Sequence, residues 1–150
     1  MDLILWRHAD AEDGAPGAPD EARRLTPKGR RQAKEVAAWL KKQLPDDARV
    51  LASPARRAQE TAKALTRRFK VSRQVGTAGA PESILKAAGW PTGRGTVVIV
   101  GHQPTLGQTA ALVLTGHPAE WSMTKGAIWW LESRGGGEVV VRAVIAPDRV

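Results

Sequence analysis

The sequence lacks cysteine and tyrosine, and phenylalanine occurs only once among its 150 residues. Without cysteine the chain can form neither disulfides nor thiolate metal sites, and catalysis by a thiol is excluded. The absence of cysteine fits a reducing compartment, so we expect a cytoplasmic protein. No apolar run approaches the roughly 18 residues of a membrane helix. Asp2 stands where an export signal has its basic segment, so we expect neither a membrane span nor an export signal.

Motifs for metal and nucleotide binding are also missing. The chain has no His-x-x-x-His pair, no carboxylate cluster and no Gly-x-x-x-x-Gly-Lys-[Ser/Thr] loop. We therefore expect chemistry that needs no metal ion and no other cofactor. His117 lies between Gly116 and Pro118 in a predicted turn, and we interpret it as structural.

Acidic residues are too few to balance the basic ones, which leaves a formal net charge of +8. This charge favours an anionic partner, such as nucleic acid, an acidic protein surface or a phosphorylated substrate. Many of the cations fall on two predicted helices, where the apolar spacing indicates solvated outer faces. The six tryptophans are scattered along the chain, so packing in or around a core is favoured over a stacking platform for nucleic acid.

Three short apolar runs, at residues 3–6, 49–52 and 96–100, are each predicted to be a strand. Each run is followed by a cation or an imidazole and then by a loop or a helix start. Parallel strands with right-handed helical crossovers place such strand ends on one edge of a sheet. We therefore expect four side chains to meet there: Arg7, His8, Arg57 and His102.

The remaining pattern predicts further helices and a hairpin around this sheet. Helices are expected at residues 27–44, with Thr26 as N-cap, at 82–88 and at 105–114. A turn at Ser53 leads into another helix that continues to about residue 69. Two strands, at residues 127–131 and 138–145, are predicted to pair as a hairpin. Residues 10–19 are predicted to form a loop over the site. The expected fold is α/β: residues 1–150 form a single-domain three-layer α/β/α sandwich with a mainly parallel, mixed sheet.

The expected cluster suits a phosphoryl group. Arginine offers a planar fork that matches phosphate oxygens, and a neutral imidazole is a competent nucleophile toward phosphorus. The second histidine would stabilise the equatorial oxygens, as a cation or by donating a proton. Two plainer interpretations stay open: Arg7 and His8 form an ordinary charged strand end, and Ser53 only caps the following helix instead of marking a helix start that favours phosphate.

These residues carry a resemblance to the histidine phosphatase superfamily, and within it to the small SixA-type phosphohistidine phosphatases. Arg7-His8 resembles the Arg-His-Gly signature, residues 53–62 resemble the Ser-x-x-x-Arg-Ala-x-Gln-Thr element, and residues 100–104 resemble the third element around His102. Residues 23–29 resemble the Arg-x-Leu-Thr-x-x-Gly stretch of the SixA-type subgroup. The sequence departs from the family at Ala9, which replaces a glycine, and at Glu60, which replaces a glutamine.

The resemblance implies a phosphoglycerate mutase-like fold and a role for each matched residue. His8 would be phosphorylated transiently, and His102 would be the second core histidine. Arg7 would be one core arginine, and Arg57, rather than Arg56, would be the other. Arg23 would border the substrate. Glu82 is the only counterpart in sequence to the carboxylic acid that protonates the leaving group in family members acting on phosphate esters, and it is a possible proton donor.

The sequence therefore predicts a metal-independent phosphohistidine phosphatase that acts on a protein through a phospho-His8 intermediate. The implied partner is a phosphorylated histidine-containing protein, such as a phosphotransfer domain or a carrier protein. One alternative is a broad small-molecule phosphomonoesterase on the same fold, in which Glu82 works as the acid. The other is a noncatalytic module that binds phosphate or nucleic acid through its basic surface.

Overall fold

The computed structural model describes residues 1–150 as a six-stranded sheet with helices on both of its faces. The strands are β1 (Asp2–Arg7), β2 (Arg49–Ala52), β3 (Lys70–Val71), β4 (Thr96–Gly101), β5 (Ile128–Gly135) and β6 (Glu138–Ile145). The helices are α1 (Pro27–Gln43), α2 (Arg56–Leu65), α3 (Pro81–Ala88) and α4 (Thr105–Thr115). Short 3₁₀ turns cover Asp20–Ala22, Arg73–Val75 and Pro147–Arg149.

The sheet has the order β3-β2-β4-β1-β5-β6. Its first four strands are parallel, whereas β5 pairs antiparallel with β1, and β5 and β6 form the predicted hairpin. The carboxyl ends of β1, β2 and β4 therefore lie at one edge, as the sequence pattern predicts. The expected mixed, mainly parallel α/β fold is confirmed.

The three layers follow from the alternation of side chains along the central strands. In β1, Ile4 and Trp6 pack into the core shared with α1 and α2, whereas Leu3 and Leu5 pack into the core shared with α3 and α4. All four side chains are fully buried, because both faces of a parallel sheet are covered by its crossover helices. This buried position makes β1 a rigid support for the residues that follow it.

Two boundaries and one strand differ from the sequence prediction, and the first boundary is the end of β5, which extends to Gly135 instead of residue 131. Helix α2 ends at Leu65 instead of near residue 69, since Thr66 is already extended. The next residues form the two-residue strand β3, which pairs with β2 and has no distinctive sequence pattern. Pairing with the exposed edge of the sheet overrides the local helical pattern here.

The tryptophans and the helical cations lie where the sequence analysis expects them. Trp6 and Trp130 are buried, and the other tryptophans are partly buried at the rim of the core. The lysines and arginines of α1 and α2 are exposed except Arg57, which is 3% exposed. No helix has both the length and the apolar character needed to cross a membrane. The cytoplasmic location stays a prediction.

Candidate active site

The ends of β1 and β4 and the start of α2 converge on a polar cavity of about 230 Å³. The backbone N–H of His8 donates to the carbonyl of Gly101 at 3.0 Å, so the end of β1 is joined directly to the end of β4. The cavity is lined by the four side chains that are expected to meet there and by Arg23, which the resemblance places at the border of the substrate: Arg7, His8, Arg57, His102 and Arg23. The strand ends therefore meet as their pattern predicts.

His8 is buried, and its two ring nitrogens contact different groups: one contacts a backbone carbonyl and the other contacts Arg57. Its Nδ1 lies 2.7 Å from the carbonyl oxygen of Ala9. Because a carbonyl only accepts hydrogen bonds, Nδ1 carries the proton, and Nε2 has the free lone pair. The Nε of Arg57 donates to this Nε2 at 3.3 Å. Burial, followed by the nearby positive charge of Arg57, lowers the pKa of His8 to about 4, so the imidazole is neutral at pH 7.

His102 is held by a buried serine. Its Nε2 lies 2.7 Å from Ser53 Oγ, and its Nδ1 lies 3.5 Å from the Nη2 of Arg57. Burial, together with the proximity of His8 and Arg57, lowers the pKa of His102 to about 3. His102 is therefore a neutral hydrogen-bonding group in this site at pH 7, and the cationic alternative is not favoured by its surroundings.

Ser53 does not act as a helix cap. The N-cap of α2 is Ala55, which forms no side-chain capping bond. Ser53 Oγ instead accepts a hydrogen bond from the backbone N–H of Ala55 at 3.1 Å while it contacts His102. The interpretation of Ser53 as only a cap was wrong, because the tight turn after β2 directs its side chain toward His102.

The two arginines differ in how they are held. Arg7 donates from Nη1 to the carbonyl oxygen of Met123 at 2.7 Å, and its buried Nε has no hydrogen-bond partner in the protein. Arg7 lines the polar cavity, and its guanidinium is suited to an anion there. Arg57 is positioned from the first turn of α2, whereas Arg56 points outward and pairs with Glu60 at 3.2 Å. The structure thus brings Arg57, and not Arg56, into the cavity.

A segment that we call the strap, residues 10–22, passes over this cavity. It begins at Asp10, which pairs with Lys125 at 2.9 Å and whose carbonyl accepts from the N–H of Thr26 at 3.0 Å. Thr26 also caps α1, as predicted, by accepting from the N–H of Gly29. A β-carbon at Gly29 would lie 1.9 Å from the Asp10 carbonyl oxygen. Glycine at position 29 is therefore required for α1 to contact the start of the strap.

Both departures from the family motifs are accommodated. Ala9 is fully buried against Leu25 and Ala33, and its N–H donates to Thr61 Oγ1 at 3.1 Å. The extra methyl group therefore packs into the small core beside the strap. Glu60 accepts from the N–H of Leu25 at 3.2 Å, a hydrogen bond that a glutamine oxygen can also accept.

Other acidic and polar residues reach the cavity, but Glu82 does not line it. Glu82 is exposed in the first turn of α3, because the buried side chains of Pro81 and Ile84 turn this helix inward on its other side. The sequence analysis missed the further lining residues Ala11, Asp13, Thr77, Gln103 and Lys125. It also missed Asp20, whose carboxylate contacts Arg57. Among these residues, Ala11 and Asp13 lie in the loop predicted to cover the site and Gln103 lies in the third motif, whereas Asp20, Thr77 and Lys125 had no signal in the sequence.

Two remaining expectations concern metal binding and His117. No group of three or more histidine, cysteine or acidic side chains is arranged to hold a metal ion. The positive charge of the cavity comes from protein side chains, above all from Arg7, Arg23 and Arg57. His117 is exposed in the turn after α4 and lies outside the cavity.

Comparison with known sequences identifies a family. The sequence model of the histidine phosphatase superfamily (branch 1) matches residues 3–77. An uncharacterized protein of Picosynechococcus sp. is 36% identical over 129 residues, which cover 78% of this chain and 77% of that protein.

Comparison with solved structures gives the same family. The protein histidine phosphatase SixA complexed with tungstate is similar with a TM-score of 0.82 and 26% identity, over 99% of this chain and 98% of that chain. A Nakamurella multipartitia protein assigned as a phosphohistidine phosphatase SixA has a TM-score of 0.78 and 26% identity, over 97% and 95% of the two chains. Phosphoserine phosphatase from Entamoeba histolytica shares the fold, with a TM-score of 0.72 and 18% identity over 97% and 96%.

Proposed function

Because this chain belongs to the histidine phosphatase superfamily and is a phosphatase of SixA type, we propose that it hydrolyses phosphohistidine on a protein without a metal ion. The observation that carries the proposal is the state of His8. Its Nδ1 is held by a backbone carbonyl at 2.7 Å, and its Nε2 is unprotonated beside Arg57. A neutral, oriented imidazole next to a fixed guanidinium is what attack on phosphorus requires.

The reaction takes place in two displacements. The lone pair of His8 Nε2 forms a bond to phosphorus while the P–N bond to the substrate imidazole breaks, and the departing nitrogen takes a proton from solvent. A water molecule then attacks phospho-His8, loses a proton, and releases inorganic phosphate with restored His8. Phosphorus is neither oxidised nor reduced, and no co-reactant besides water is consumed.

Arginine charges stabilise the transferring group in both displacements. Arg7 lines the cavity, and Arg57 has a buried guanidinium beside the nucleophile. Two unit charges about 4 Å apart interact by roughly 4 kcal/mol at an effective dielectric constant of 20. Because a guanidinium only donates, His102 Nδ1 accepts from Arg57 Nη2 and its Nε2–H donates to Ser53 Oγ, so His102 holds the guanidinium beside the transferring group. Arg23 at the mouth of the cavity borders the rest of the substrate.

The size of the cavity supports a protein substrate. Its volume of about 230 Å³ is below the roughly 300–1,000 Å³ of a site that encloses a whole small molecule. The cavity is suited to a phosphoryl group whose carrier stays outside. Glu82 has no role in this proposal, since it does not line the cavity, and an imidazole leaves readily once it is protonated. The proposed substrate is a phosphotransfer domain or carrier protein, on which the single domain formed by residues 1–150 acts.

The test is transfer of labelled phosphate from a phosphohistidine-bearing protein in the presence of a chelator, followed by an alkaline quench. The wild-type enzyme should acquire label and release phosphate, whereas His8→Ala should do neither. A Glu21→Gln variant, changed at an exposed position without a hydrogen bond, should behave as the wild type. If the substrate keeps its label and no enzyme is labelled, the phosphohistidine assignment fails, and an ester phosphatase or a binding module becomes the better explanation. Loss of activity only in the chelator would contradict metal independence.

A further inference from the structure

The carboxylate of Asp20 lies between Arg57, which is assigned to the phosphoryl site, and Arg23, which is assigned to the border of the substrate. Its Oδ2 accepts from Arg57 Nη2 at 3.0 Å, and its Oδ1 accepts from Arg23 Nε at 2.9 Å. The backbone carbonyl of Asp20 accepts from Arg57 Nη1 at 2.9 Å. The Arg57 side chain is 4% exposed and the Asp20 side chain is 60% exposed. A solvated acid on the strap thus reaches a buried arginine.

The same donors of Arg57 are needed by a phosphoryl group. The Nε of Arg57 faces His8 Nε2, so the terminal nitrogens are the donors left for phosphoryl oxygens near the nucleophile. Each terminal nitrogen already gives one of its two N–H groups to Asp20: Nη1 to the backbone carbonyl and Nη2 to the carboxylate. Carboxylate and phosphoryl oxygens bind the same planar fork, and two anions that share it also repel each other.

The strap around Asp20 is held loosely enough to let it move. Residues 13–22 are all exposed. Within them, the side chain of Asp20 is held by ion pairs with Arg23 and Arg57. Gly14 and Gly17 have positive φ, and the only backbone hydrogen bond closed within residues 13–18 runs from the N–H of Ala18 to Ala15. The pair with Arg23 is partly exposed and contributes about 0–1 kcal/mol, whereas Arg57 is buried, so Asp20 leaves at small cost only when phosphoryl oxygens replace its own on Arg57.

We infer that Asp20 is a built-in competitor of the phosphoryl group: it holds Arg57 and Arg23 until a phosphoryl group takes its place. The inference rests on the proposed function, because it assumes that phosphate binds between these arginines and His8. Its consequence is a weaker hold on the phosphate product and on free phosphate, which keeps the site open to phosphorylated substrate.

The experiment measures binding of inorganic phosphate by calorimetry at neutral pH. Asp20→Asn should bind phosphate about fivefold more tightly, since the competing charge is lost while the shape of the side chain is kept. Glu21→Gln is the matched control, because it removes the same charge from the neighbouring exposed position. Its phosphate affinity should stay within about twofold of the wild type.

Two results would overturn the competitor role. Weaker phosphate binding by Asp20→Asn would show that Asp20 positions Arg57, and affinity equal to that of Glu21→Gln would show that its contact has no effect on phosphate. Absence of phosphate binding in the wild-type protein as well would instead overturn the phosphate site and the proposed function.

A second measurement needs only the wild-type protein and does not depend on the folding of a variant. The N–H of Arg23 donates to the carbonyl of Asp20 at 3.2 Å. Added phosphate should speed hydrogen exchange in the strap around this amide, although ligands usually slow exchange near their site. Unchanged or slower exchange in the presence of saturating phosphate would overturn the displacement of Asp20.

Discussion

The floor of the site and the strap above it are built in opposite ways. The floor comprises His8, Ser53, Arg57 and His102, which are all no more than 7% exposed and are joined to one another by hydrogen bonds. The strap is largely exposed, rich in glycine and proline, and held by ion pairs. The nucleophile is therefore oriented by buried groups, whereas Asp20, the proposed competitor of phosphate, lies on an exposed segment.

The two regions also differ in the cost of losing a contact. A buried polar group that loses its partner costs about 1–3 kcal/mol, because its desolvation is no longer compensated. An exposed ion pair costs about 0–1 kcal/mol, because water replaces the lost contact. Changes in the floor should therefore be severe, and changes in the strap should be mild.

The largest expected effect is that of Arg57→Lys in the floor. Lysine keeps the charge but cannot present a planar fork to phosphate, so kcat/KM for a phosphohistidine protein should fall about 10²–10³-fold. The matched control is Arg56→Lys, at the adjacent exposed position, which should stay within about twofold of the wild type. Equal losses in both variants would contradict the difference between the buried and the exposed arginine.

An intermediate effect is expected on the pH dependence of stability. Burial lowers the pKa of His8 to about 4 and that of His102 to about 3, whereas the unfolded imidazoles protonate near their ordinary value of 6.5. Between about pH 6.5 and 4 the unfolded chain therefore binds more protons, and the free energy of unfolding falls as the pH falls. Each histidine should account for about 2 kcal/mol between pH 7 and 5.

Denaturant titrations of the wild type and of His102→Asn at several pH values provide the measurement. The variant should lose about half of the pH dependence that the two histidines cause. If the free energy of unfolding depended on pH equally in the two proteins, burial would not lower the pKa of His102. The floor would then not differ from the strap in this respect.

The smallest effect is expected in the strap, for Glu12→Gln. Glu12 pairs with Arg24 at 3.0 Å, and both side chains are about half exposed, at 42% and 57%. The variant should lose no more than about 0.5 kcal/mol of stability, and the difference should shrink at high salt. Its turnover should match that of the wild type. A loss above about 1.5 kcal/mol would show that the strap is held as firmly as the floor.

Most of the sheet and the central residues of the site could be predicted from the sequence. The apolar runs that become β1, β2 and β4 are short and uninterrupted, and the parallel arrangement brings their ends together. Strand β3 and the end of α2 could not be predicted, because a two-residue edge strand forms only when a partner strand is present. Glu82 corresponds to the family's proton-donating acid by sequence position alone, and the packing of α3 turns its side chain away from the cavity.

The sequence by itself determined which chemistry the site contains: two arginines and two histidines at strand and helix ends, and no thiol. Apolar periodicity encodes buried strands, and topology then fixes where their ends lie. Only the tertiary structure decided which side chains meet between elements that are distant in the chain. Ser53 contacts His102 and Asp20 contacts Arg57 across 49 and 37 positions, respectively. Such contacts depend on packing and loop path, and no local pattern records them.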